Sequence, residues 1–71
     1  MSSLHKALLA AHLKKDREAL VRLYERAADT SDDKDAKGFY LTHAYIFALE
    51  AGLPIADELR TRLVHMGREV D

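Results

Sequence analysis

The sequence predicts an all-α fold, four helices paired as two antiparallel hairpins in a small helical bundle. Three observations predict it. Apolar side chains recur at i, i+3, i+4 and i+7 along most of the chain, the period of a helix with one buried face. Helix breakers are scarce, three glycines and one proline in 71 residues. Turn signals gather at three places only, Lys14–Asp16, Thr30–Asp35 and Gly52–Pro54. The length fits one domain, residues 1–71.

The most apolar stretch runs from Ala36 to Ala51 and carries Phe39, Tyr40, Tyr45 and Phe47, four of the five aromatic residues. On a helical wheel Tyr40, Ala44, Phe47, Ala48 and Ala51 form one face, and Leu41, Tyr45 and Leu49 another. A helix that is apolar nearly all round is buried nearly all round. The other helices, each with one apolar face, are therefore expected to wrap around it.

A first helix is expected over residues 4–13, capped by Ser2 or Ser3, with Leu4, Ala7, Leu8 and Ala11 on one face. Asp16 is the expected N-cap of a second helix over 17–29, with Leu20, Leu23, Tyr24 and Ala27 as its core stripe. The two form a hairpin over 4–29. The acids of the loop Thr30–Asp35 suit the positive N-terminal end of the central helix, 36–51. Gly38 within that helix marks a close approach by a neighbour. Gly52 stops the helix by adopting the left-handed conformation that it alone takes at no steric cost. Pro54 then opens a fourth helix, 54–66, with Ile55, Ala56, Leu59, Leu63 and Met66 inward. Gly67 closes a second hairpin over 36–67, and residues 68–71 form a frayed tail. The core expected from these patterns is Leu8, Leu20, Tyr24, Tyr40, Phe47 and Leu59.

Shifted by 36 positions, the chain pairs with itself: Leu20 falls on Ala56, Leu23 on Leu59 and Ala27 on Leu63. Repeats of this period are typical of solenoids built from helical hairpins. The chain at this point resembles the tetratricopeptide repeat. Tyr24 and Ala27 match that motif's second helix. Tyr40, Ala44 and Phe47 match its first helix, and Ala56 the small residue of the next. Leu20 stands where the motif has a small residue, Asp32 where it has proline, and His43, Arg60 and Leu63 also depart from it. The resemblance implies a tetratricopeptide-like stack and a peptide-binding groove.

Composition excludes several classes of function. Eleven basic and twelve acidic residues give a net charge of −1. That is no footprint for nucleic acid and no attraction to an anionic membrane. Without cysteine there is no disulfide and no thiolate metal site. The four histidines, His5, His12, His43 and His65, include no i, i+4 pair, so no metal and no cofactor is expected. No serine elbow, phosphate-binding glycine loop or cysteine nucleophile is present. If the chain has catalytic or metal chemistry, His43 and Glu50 are its best candidates, a histidine and a carboxylate seven positions apart.

The expectation is therefore a non-enzymatic, cytoplasmic protein-interaction module or small accessory subunit. Its partner is another protein chain, its own copy or a different one. A chain this short, with no covalent staple, gains burial from such a partner. The expected contact is Phe39, Tyr45, Ile46 and Leu49, on the side of the central helix away from Phe47. The near balance of overall charge points to a contact held by apolar burial, with weak salt dependence.

Overall fold

A computed structural model describes residues 3–67. These residues form four helices and no strand: α1 (Ser3–Lys14), α2 (Arg17–Thr30), α3 (Lys34–Ala51) and α4 (Ile55–His65). All-α architecture is thus established, with boundaries within two residues of those expected. The capping role expected of Ser2 and the tail at 68–71 lie outside the described residues. Among the described residues, no helix is long and apolar enough to cross a membrane.

The ends of the helices follow from their residues. Asp16 accepts a 3.1 Å hydrogen bond from the Ala19 amide, and Asp33 one of 3.1 Å from the Asp35 amide. Each satisfies an amide that has no partner within its own helix. Gly52 takes φ 67°, and the Leu53 amide reaches back to the Ala48 carbonyl at 2.9 Å. The α1–α2 turn repeats this geometry: Lys15 takes φ 53°, and the Asp16 amide reaches the Ala11 carbonyl at 3.0 Å. These turns therefore superpose with an offset of 37, one more than the offset of 36 read from the sequence.

Lys15 occupies a backbone conformation that costs an L residue about 1–2 kcal/mol. Glycine escapes that cost but loses more freedom on folding. The substitution Lys15→Gly is expected to raise stability by about 0.5–1 kcal/mol, read as a shift in the urea midpoint at constant m. A loss of stability would show that the lysine side chain contributes more than its backbone costs.

The helices pack in sequence, α1 along α2, α2 along α3 and α3 along α4. The Cα atoms fill a slab of 32 × 29 × 12 Å. Such a thin body does not enclose α3, which corrects the expectation of a wrapped central helix. The core lies along the α2–α3–α4 seam: Val21, Ala28, Leu41, Ala44, Ala48, Ala56, Leu59 and Leu63. Four of these eight are alanines, so the helix backbones come close and large side chains are displaced to the flanks. Gly38 is buried at the same seam.

The expected core is corrected accordingly. Leu20 and Leu59 are buried. Leu8, Tyr24, Tyr40 and Phe47 are only partly buried, and the last three pack on the core from its margin. Leu41, assigned by the pattern to a second face with Tyr45 and Leu49, is 1% exposed and central. Val21 and Ala28 of α2 also belong to the core, outside the stripe read from the sequence. At the far end, Arg62 of α4 donates to Asp29 at 2.6 Å and pairs with Glu25 at 3.6 Å, tying α4 to α2.

Candidate interaction surface

Helices α1 and α3 run in the same direction, since each is antiparallel to α2. The start of α2 meets the end of α3, where Arg17 Nε donates to Glu50 Oε1 at 3.0 Å. Both turns, at Lys15 and Gly52, thus lie at one end of the slab. Between α1 and α3 runs a groove bounded by His12 and Phe47, whose rings meet edge to face at 5.8 Å. At the turn end it opens into a hollow of about 120 Å3 lined by His12, Lys15, Arg17, Leu20, Phe47 and Glu50.

An aromatic and histidine ladder forms this groove. Tyr24 of α2 stacks on Phe47 at 5.9 Å and lies 5.2 Å from the His43 ring. Its hydroxyl shares a 2.9 Å hydrogen bond with His12 Nε2. Burial holds the Tyr24 hydroxyl above the ordinary tyrosine range, and Tyr40 beside it adds to the rise. The hydroxyl is protonated at neutral pH, as tyrosine ordinarily is, and donates to His12 Nε2 or accepts from it according to the imidazole tautomer. A buried tyrosine normally finds such a partner for its polar end. His43 Nδ1 donates to the Phe39 carbonyl at 2.9 Å, and its ring packs against Phe39 at 4.3 Å.

The expected contact residues fall into three positions. Phe39 and Ile46 are 55% and 44% exposed, opposite the buried Leu41–Ala44–Ala48 face. Leu49 is equally open, at 55%, but lies round the helix from them. Tyr45 is corrected: it is partly buried and packs on the core, because its helical position turns it toward the seam. Two large apolar side chains of α1, Leu9 and Leu13, are also exposed, at 51% and 77%, and the sequence reading did not single them out. Their signal was present: spaced i, i+4, they fall off the Leu4–Ala7–Ala11 stripe. His12 and Phe47 gave no such signal, since only the packing of α1 and α3 on α2 brings them together.

His43 and Glu50, the candidate catalytic pair, have structural partners of their own: His43 holds the Phe39 carbonyl and Glu50 holds Arg17. Two helical turns separate them, about 10 Å along the axis. Among the described residues no three His, Cys, Asp or Glu side chains gather as a metal site would need. A second hollow of about 420 Å3 lies on the outer edge of the α1–α2 seam, lined by Ser3, Leu4, Ala7, Leu23, Arg26 and Thr30. No family model, curated protein or solved structure matches the chain.

Proposed function

We propose that this chain is a protein-interaction module, or a small accessory subunit without catalytic activity, that docks onto another protein chain through the outward side of α3. One observation carries the reading. Phe39 and Ile46 are half exposed and aligned on the side of α3 opposite its buried Leu41–Ala44–Ala48 face, with Leu49 exposed further round the helix. Exposed apolar side chains scattered singly need no explanation, but a grouped set marks a contact. The pattern at Tyr24, Ala27, Tyr40, Ala44, Phe47 and Ala56 that resembles the tetratricopeptide repeat supports the same role, since hairpins of that kind stack against neighbours.

The test uses Ile46→Glu. Its exposed position leaves the fold intact, so the melting temperature should stay close to wild type. A charge at the centre of an apolar contact should remove associated chains when wild type and variant are used as baits from the source cell and their captured proteins are compared by mass spectrometry. Identical captured sets from a folded variant would refute the docking role of this face.

A further inference from the structure

We propose that α1 is an exchangeable arm: it swings out at Lys15 and seats itself on α2 of a second copy, in the place that copy's own α1 has left. The exchange does not use the outward side of α3, so it goes beyond the docking role and stands or falls separately from it. Three observations carry it.

First, the core is complete without α1. The buried cluster of α2, α3 and α4, and the apolar side chains packed against it, include no residue of α1. Among the described residues α1 packs along α2 alone, and within α1 only Ala11 is buried. An element with so little burial opens at a lower free energy than the rest of the fold.

Second, the place that α1 leaves is a seat shaped for a helix. Two faces of α2 are buried. Val21 and Ala28 belong to the cluster shared with α3. Leu20 and Ala27 are 2% and 5% exposed yet stand outside that cluster. Their cover comes from α1, whose Leu4 and Ala7 border the same seam beside Leu23. The 2.9 Å hydrogen bond between His12 and Tyr24 closes the turn end of this contact. An opened arm leaves these side chains bare, and the helix already fitted to them is α1. The contact between copies is therefore the α1–α2 contact seen within one chain. Exchange keeps that contact and changes only the hinge.

Third, the hinge is short and strained. Only Lys15 and Asp16 separate the two helices. Asp16 is already extended, at φ −88° and ψ 90°, so its cap on the Ala19 amide survives opening. Lys15 alone has to turn, from φ 53° to a region that an L residue prefers. Closing onto the chain's own α2 strains Lys15, and exchange releases that strain in both copies. Short hinges under strain invite exchange of this kind. The turn gives up two backbone hydrogen bonds, from the Lys15 and Asp16 amides, and both donor residues are exposed to water.

The experiment is sedimentation equilibrium of the full chain over a wide dilution series, with circular dichroism on each variant. Wild type should be a monomer of 8.0 kDa when dilute and gain dimer as concentration rises. Proline holds φ at about −65° and cannot form the closed hinge. Lys15→Pro should therefore be a dimer with the helix content of wild type. Glycine takes the closed hinge without strain, so the dimer of Lys15→Gly should dissociate about tenfold more readily than that of wild type. Within the Lys15→Pro chain, Ala11→Arg places a charge in the seat and should return a monomer that keeps the helices α2, α3 and α4. Ile46→Glu in the same chain should leave the dimer intact. A wild type that is monomeric at every concentration overturns the exchange, as does a Lys15→Pro chain that is monomeric or unfolded. A dimer that survives Ala11→Arg, or is lost with Ile46→Glu, also overturns it, because the copies then meet elsewhere. Complete unfolding on Ala11→Arg would show that the core needs α1, and a Lys15→Gly dimer as tight as wild type would show that hinge strain does not drive exchange; either result refutes the proposal.

Discussion

Leu59→Ala is expected to lower the unfolding free energy by about 2–5 kcal/mol, the range for removing a buried leucine side chain. Leu59 is fully buried on α4 and belongs to the cluster of Leu41, Ala44, Ala48 and Val21 that joins three helices. Its loss removes apolar burial and leaves a void that its neighbours cannot fill. The alanines on α3 have no side-chain length to reach into it. Small domains hold about 5–15 kcal/mol in total, and one of this length sits toward the low end. The variant should therefore lose much of its stability and be partly unfolded at body temperature. A urea titration measures the change directly. A loss below about 1 kcal/mol would place Leu59 outside the energetic centre of the fold.

The opposite perturbation should be comparably severe. Ala48→Phe inserts a ring where the native side chain is a methyl group with no exposed surface. Ala48 lies one turn after Ala44, also fully buried, and its carbonyl accepts the Leu53 amide in the α3–α4 turn. Making room would separate α3 from its neighbours and disturb that turn. Overpacking of this kind costs about 1–3 kcal/mol, and more where the backbone cannot shift. A melting temperature within a few degrees of wild type would show that the alanine seam is looser than its burial implies. Phe47→Ala provides the contrast. Phe47 lies at the margin of the core and not at its centre, so its removal should cost less than the roughly 3–5 kcal/mol of a fully buried phenylalanine.

The sequence determined the helices and their ends. Asp16, Asp33 and Gly52 act through groups within a few residues, and local chemistry of this kind is legible in a linear chain. It also determined the inward faces of α4 and most of α2, where one side is clearly apolar and the other clearly polar. The core face of α3 was decided by the tertiary structure. With apolar residues on nearly every side, α3 offers no periodic contrast: of the face assigned inward, Ala44 and Ala48 are buried, but its large aromatics Tyr40 and Phe47 lie at the margin and Leu41 of the neighbouring face takes the centre. Packing settled it by size. Ala44 and Ala48 let α2 and α4 approach closely, Leu41 filled the space between them, and Tyr24, Tyr40 and Phe47 stacked at the margin. The groove between α1 and α3 likewise exists only once α2 holds both. His12 and Phe47 are far apart in the chain, and no local pattern brings their rings within 5.8 Å. Spacing fixes which side of a helix is apolar, but which apolar side is buried depends on how near its neighbours can come.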